Sequence, residues 1–165
     1  IDAGGMIVAP GFVDIHSHSD FLWLARPESD SKVLDGVTTE ICGNCGLSAF
    51  PIRGKVLERR ARGLAKYGID LTWQSAAEFF DVAEKAKSSI NRAFLVGHGN
   101  IRACVLEYDN RSPEPHELRQ MSSDLREAME SGAYGMTSGL IYPPGCYATK
   151  EELTEMCTVV KEYGA

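Results

Sequence analysis

Long apolar runs are missing from this 165-residue chain, and so is any surplus of positive charge. The uninterrupted apolar stretches extend only a few residues, far short of the roughly 20 that a membrane-spanning helix needs. No membrane partner is therefore expected. Lys and Arg number 17 against 23 Asp and Glu, a net charge of −6. Neutralising several phosphates takes a basic surplus or a basic face, so nucleic acid is not an expected partner either. The densest basic cluster, Arg59-Arg60-Ala61-Arg62, falls in a helical stretch and reads as a solvated face. Also missing is a basic N-terminal region leading into an apolar core, as a secretory signal would have, and a cytoplasmic location is expected. The five cysteines, Cys42, Cys45, Cys104, Cys146 and Cys157, are an odd count and read as free thiols rather than a disulfide framework. Low-complexity segments and internal repeats are absent, and the chain opens at Ile1 without a Met. Residues 1–10 read as the end of a preceding segment, which leads us to expect a fragment or processed product.

What is present is a regular alternation. Four β-rich runs stand out: Gly11-Phe12-Val13-Asp14-Ile15-His16, Val37 to Cys42, Ala93-Phe94-Leu95-Val96-Gly97-His98, and a weaker Ala133-Tyr134-Gly135-Met136-Thr137-Ser138. Helical patterns separate and follow them. Ala76, Phe79, Phe80 and Ala83 form one apolar stripe, opened by a Ser75/Glu78 capping box. Leu118, Met121, Leu125 and Ala128 form another after Ser112-Pro113. Leu153, Met156, Cys157 and Val160 form a third, with Thr149 and Glu152 as capping box and Gly164 as stop. A further helix is expected within Ile52 to Tyr67, and Gly139 to Tyr147 reads as a loop after the fourth strand.

Strand followed by helix, four times, predicts an α/β fold of parallel strands with right-handed crossovers. Length favours a small doubly wound sheet, since a (β/α)8 TIM barrel takes about 250 residues. The motifs favour a partial (β/α)8 barrel with about four βα units.

The first of those motifs is Asp14-Ile15-His16-Ser17-His18. Alternate side chains of a strand share a face, so His16 and His18 are expected side by side with Asp14 beneath them. Two imidazoles at the exit of a strand suit zinc or a similar divalent cation, and in α/β folds that end carries the ligands. The plain alternative is a pair of polar residues at a strand end. The second motif, Cys42-Gly43-Asn44-Cys45-Gly46, follows the second strand. It has no partner pair for a structural zinc ribbon. It leaves open a redox pair or a single thiolate, Cys45, reaching the histidine-held metal.

Together these segments resemble a known family. Val8-Ala9-Pro10-Gly11-Phe12-Val13-Asp14-Ile15-His16-Ser17-His18 is similar to the first-strand signature of the amidohydrolase superfamily. Gly36-Val37-Thr38-Thr39, Gly43-Asn44-Cys45-Gly46, Val96-Gly97-His98-Gly99-Asn100-Ile101-Arg102 and the run from Gly132 to Pro144 resemble one branch of it, the N-acyl-D-amino-acid deacylases. The resemblance implies that residues 11–165 form the first half of a metal-dependent hydrolase barrel. It further implies His16, His18 and Cys45 as ligands to zinc, one or two divalent ions in all. Tyr142 would lie near the substrate carboxylate, with Ile141 beside it in the pocket for the acyl or side-chain group. The implied reaction is hydrolysis of the amide of an N-acyl-D-amino acid. The family's two further histidine ligands and catalytic aspartate have no counterpart here, so the chain alone is expected to bind metal weakly and to be inactive. The alternatives are a noncatalytic half-barrel that self-associates, as a homodimer through its exposed edge, or a dihydroorotase- or hydantoinase-like cyclic amidase.

Among the remaining polar residues, His98 reads as structural ahead of a substrate-site role. His116 reads as solvent-facing and Asp20 as a loop residue. Arg102 either shapes the third loop or forms a salt bridge. Asp14 either orients a ligand from below or sits as a buried carboxylate in the barrel floor.

Overall fold

The parallel strands lie side by side in chain order, and the helices fill the intervals between them. The computed structural model describes residues 2–165. Its strands are β1 (Phe12–Asp14), β2 (Val37–Cys42), β3 (Asn91–Phe94), β4 (Val96–Gly97) and β5 (Met136–Thr137). β1, β2 and β3 form one parallel sheet, and β4 pairs in parallel with β5. β3 and β4 are a single run split at Leu95: the Leu95 N–H donates to the Cys42 carbonyl (2.9 Å) while the Val96 N–H donates to that of Gly135 (2.8 Å). One run thus joins the two sheets, leaving β1 and β5 with a single neighbour each.

The helices are α1 (Asp30–Leu34), α2 (Gly54–Leu64), α3 (Ala76–Lys85), α4 (His98–Leu106), α5 (Pro115–Glu130) and α6 (Lys150–Glu162). α3 begins as its sequence dictates. Ser75 Oγ accepts the Glu78 N–H, and the Glu78 carboxylate returns to the Ser75 N–H at 3.2 Å. Its buried Phe79 meets Phe94 edge-on at 4.9 Å and Phe50 at 5.1 Å. This aromatic cluster ties α3 to the sheet, each such side chain contributing about 1.5–3 kcal/mol through burial. No helix among the described residues is long and apolar enough to cross a membrane.

Several expectations need correction. The first strand ends at Asp14, not His16, because the Asp14 carboxylate accepts the His16 N–H (3.1 Å) and turns the chain out of the sheet. The fourth shrinks to Met136–Thr137, flanked by Gly132 and Gly135 in positive-φ conformations that interrupt extended backbone. α5 starts at Pro115 rather than after Ser112. Glu114 and Glu117 form its capping box, and Arg111 grips Glu117. α4 escapes periodicity altogether, since seven of its residues, from His98 to Ala103 and Leu106, are buried and leave no polar face. In α6 the buried stripe is Glu152, Met156 and Val159, while Cys157 is exposed. A carboxylate does not normally mark an inward face, but here it is paired with Arg102 and bonded to His98, both from α4.

Candidate metal centre

His16 and His18 lie in the loop after β1, and Cys45 lies in the loop after β2. One donor atom from each falls within 4.8 Å of the others, and Cys45 Sγ is 3.3 Å from His16 Nε2. The two imidazoles meet edge-on at 5.4 Å. Both histidines are exposed and Cys45 is half-buried, so the trio is open to solvent. Two imidazole nitrogens and one thiolate are a donor set suited to tetrahedral zinc. Ligands of one zinc ion, each about 2.0–2.3 Å from it, stand on the order of 3–4 Å apart. These three donors therefore fit a divalent cation with small side-chain adjustment.

The loop that presents Cys45 is held from several directions. The Gly43 N–H donates to Asp20 Oδ1 (2.7 Å), and the Asn44 side chain donates to the carbonyls of Ser17 (3.2 Å) and Ile41 (2.9 Å). The Thr137 hydroxyl donates to the Gly43 carbonyl and accepts the Gly46 N–H. Gly43 has φ +89°, and a Cβ there would sit 2.0 Å from the Leu95 carbonyl oxygen. Only glycine allows β2 and β3 to approach so closely at that turn. Cys45 itself adopts φ +56°, which costs an L-residue about 1–2 kcal/mol. The surrounding hydrogen bonds hold the strained thiol next to His16.

The two thiols of the Cys42/Cys45 motif have separate environments. Cys42 is fully buried in the core, and burial, reinforced by Glu40 and Asp20, pushes its thiol well above the ordinary range. It is therefore a poor redox partner. All five cysteines are free.

Asp14 is not a buried carboxylate in the barrel floor. It is half-exposed and paired with Lys32, and that hydrogen bond, with the one from the His16 backbone, lowers its pKa. Asp20 lies in the loop after β1, as read, and is buried there; its burial raises its pKa despite the Gly43 hydrogen bond. A cleft of about 370 Å³ is lined by His18, Cys45, Asp20, Phe21, Tyr142 and Arg60, among others. Tyr142 thus shares a cleft with two members of the trio. Ile141 does not line that cleft and is 79% exposed.

Arg60 was missed within its basic cluster. Its signal was available: it lies four residues from both Val56 and Leu64, the buried residues of α2, and so shares their face. Arg59 and Arg62 are exposed, as a solvated face requires.

The other histidines are engaged elsewhere. His98 is buried with Nε2 2.8 Å from Glu152 Oε1, and Arg102, also buried, bonds the other oxygen of the same carboxylate. Burial alone would raise the pKa of Glu152, but the hydrogen bonds from His98 and Arg102 lower it. Both residues thus take the structural role weighed for them. His116 is exposed on α5.

The chain is 37% identical over 165 residues to N-acyl-D-glutamate deacylase of Alcaligenes xylosoxydans xylosoxydans, covering all of this chain and 33% of that one. It is 35% identical over 164 residues to D-aminoacylase of the same organism, covering 99% and 34%. Among solved structures it matches N-acyl-D-glutamate deacylase from Bordetella bronchiseptica, complexed with zinc and a phosphonate mimic of the tetrahedral intermediate. That match has a TM-score of 0.86 and 36% identity, over 98% of this chain and 34% of that chain. A D-aminoacylase with a binuclear metal centre matches with a TM-score of 0.82 and 30% identity, over 94% and 33%. The chain therefore spans about a third of the length of the relatives it matches. The amidohydrolase family model matches residues 1–165, and with these likenesses in sequence and in fold, the chain belongs to the amidohydrolase family.

Proposed function

We propose that residues 11–165 form the first half of a barrel in which His16, His18 and Cys45 hold a divalent cation, zinc above all. The activity of the whole protein, on this reading, is hydrolysis of the amide bond of N-acyl-D-amino acids. The convergence of the three donors within 4.8 Å is the observation that carries it. A cation so held would supply Lewis acidity, lowering the pKa of a bound water to about 7 and polarising a carbonyl. The chain's own residues do the rest of what can be assigned to it. Cys45 offers its thiolate from the strained loop, and Asp20 fixes that loop through Gly43. Tyr142 faces the substrate from the same cleft, its hydroxyl available to a carboxylate. Ile141, exposed beside it, offers apolar surface to an acyl or side-chain group.

The test is metal content after chelation and reloading. Cys45→Ala and His18→Ala are expected to lose the metal and Cys42→Ala to keep it; equal loss in both cysteine variants would sink the assignment. In the full-length protein, N-acetyl-D-amino acids should be cleaved in preference to cyclic amides such as hydantoins. The isolated 165 residues should show no turnover, and robust turnover by them would refute the half-barrel reading.

A second reading, a half-barrel that self-associates, draws on the exposed apolar residues on either side of the β1 edge, among them Ile7 (95% exposed), Val8 (83%) and Ile15 (71%). Light scattering coupled to size exclusion tests it: a dimer supports this reading, and a monomer at tens of micromolar dismisses it.

A further inference from the structure

Glu40 is a fully buried carboxylate within β2, a strand position that an apolar residue would fill without the cost of burying a charge. Its two oxygens have different partners. Oε1 accepts the Arg92 Nε–H at 2.7 Å; the Arg92 guanidinium lies over the Trp23 ring, 4.5 Å from its centroid, and donates to Ser29 Oγ (2.7 Å). Oε2 is turned to the loop after β1. It accepts from the Ser17 hydroxyl (2.9 Å) and from that of Ser19 (3.2 Å), and the two hydroxyl oxygens stand 2.8 Å apart. Lys32 lies 3.6 Å from the same oxygen while pairing with Asp14, whose carboxylate accepts the His16 N–H. The serines alternate with the two histidines. Ser17 is buried and Ser19 half-buried, whereas His16 and His18 are exposed, so the segment turns its hydroxyls to Glu40 and its imidazoles to solvent beside Cys45. Neither imidazole is held directly. Among the described residues no carboxylate oxygen lies within 4.0 Å of a nitrogen of either ring, and Asp14 and Asp20 act on them only from farther away. A metal-binding imidazole ordinarily has its other nitrogen bonded to such a partner. Here the support comes through the backbone, from the serines between and after the rings.

We propose that Glu40 is a positioning residue for His16 and His18: by gripping Ser17 and Ser19 it fixes the loop so that both imidazoles stand beside Cys45 together. That the three donors hold a cation rests on the metal-centre reading. A carboxylate accepts and does not donate, so both hydroxyls are drawn to one oxygen and the loop has a single seat. Arg92 keeps that oxygen in place from the other end of the carboxylate. Ligands preset in this way lose less conformational freedom when a cation binds.

The experiment uses the full-length protein and two variants. Ser17→Ala/Ser19→Ala removes the link and keeps the Glu40–Arg92 pair; Ser29→Ala takes a partner from Arg92 and leaves Ser17 and Ser19 as they are. Metal-free samples are compared by melting and by hydrogen–deuterium exchange over residues 15–19. Zinc affinity is measured by competition with a chelator, and the cobalt-substituted protein is followed by its thiolate-to-cobalt absorption. The double variant should bind zinc about 10–100-fold more weakly, as loss of a supporting partner does, and its cobalt absorption should change. Residues 15–19 should exchange about tenfold faster in it. Ser29→Ala should match the parent in all three, whatever it loses in melting temperature. Should the double variant fail to fold, Ser19→Ala, at the half-buried position, carries the same test. Zinc affinity within about threefold of the parent in the serine variant, or an equal fall in Ser29→Ala, overturns the inference. If the parent binds neither ion, the metal-centre reading falls. Faster exchange confined to the serine variant then upholds Glu40 as the support of this loop, and unchanged exchange overturns it.

Discussion

His16 and His98 each follow a parallel strand, the first just beyond β1 and the second directly after β4, and their surroundings make them opposites. His16 is exposed, in a loop, with a thiol from β2's loop 3.3 Å from its Nε2. His98 is fully buried at the start of a helix, its Nε2 bonded to a buried glutamate that a buried arginine also grips. Both clusters join residues distant in sequence, but one is closed on itself and the other is open on one side. The closed cluster occupies both oxygens of the Glu152 carboxylate with His98 and Arg102 and links α4 to α6, though His98 Nδ1 and Arg102 Nε are left without partners. An open cluster leaves donor atoms available to something outside the chain. Residue type and strand position alone do not separate the two roles; burial and the identity of the third group do.

The largest expected effect breaks the closed cluster. Glu152→Ala leaves the Arg102 charge buried without a countercharge, with only the Arg111 carbonyl to accept from it, and should cost about 3–5 kcal/mol in urea unfolding, with metal bound per folded molecule unchanged. A loss under about 1 kcal/mol would mean that the cluster does not hold α6. The same carboxylate gives a pH dependence. Its pKa is lowered in the fold, so its stabilisation is present above the ordinary glutamate value of 4.5 and is lost as pH falls through the folded pKa. The stability gap between the parent and Glu152→Gln should therefore narrow below about pH 4.5, and a gap constant from pH 7 to pH 3 would contradict this.

Next comes the open cluster. Cys45→Ala or His18→Ala should weaken metal affinity by at least about 100-fold, beyond what loss of a supporting neighbour costs. The stability of the metal-free protein should move by less than about 1 kcal/mol in His18→Ala, because that ring is exposed. A fall in metal-free stability as large as in Glu152→Ala would erase the contrast between the clusters.

A smaller effect sharpens the comparison from the other side. Cys45→Gly removes the thiol and relieves the positive φ together, so metal binding should vanish while metal-free stability rises by about 1 kcal/mol. A strained residue that exists for its donor atom should behave so, whereas a residue needed for packing should not. Smallest of all is His116→Gln, at an exposed helical histidine belonging to neither cluster. Stability should stay within about 0.5 kcal/mol and metal content should be unchanged.

How far the sequence could be read depends on the range of the forces involved. The α3 cap needed only Ser75 and Glu78, three residues apart, and it formed as expected. The exact span of β2 was equally legible, and the helix expected within Ile52 to Tyr67 runs from Gly54 to Leu64. α4 was not, because a helix buried on every side loses the polar face that makes periodicity visible. α6 was half legible. Its Thr149 cap formed, but the Glu152 side chain turned to His98 and Arg102 instead of closing the capping box. Arg60 was hidden by its basic neighbours, although its spacing from Val56 and Leu64 pointed inward.

By itself the sequence determined the α/β class, the α3 capping box, the Thr149 cap of α6, and the residue types available at His16, His18 and Cys45, because side-chain chemistry and short-range backbone hydrogen bonds are properties of neighbours in the chain. The tertiary structure decided which donors meet, which histidine is sealed and which arginine turns inward. Cys45 comes within 3.3 Å of His16 across 29 residues only because Gly43 lets β2 and β3 close up and Asp20 and Thr137 pin the loop between them. Such long-range contacts depend on backbone approach and burial, which no local pattern records.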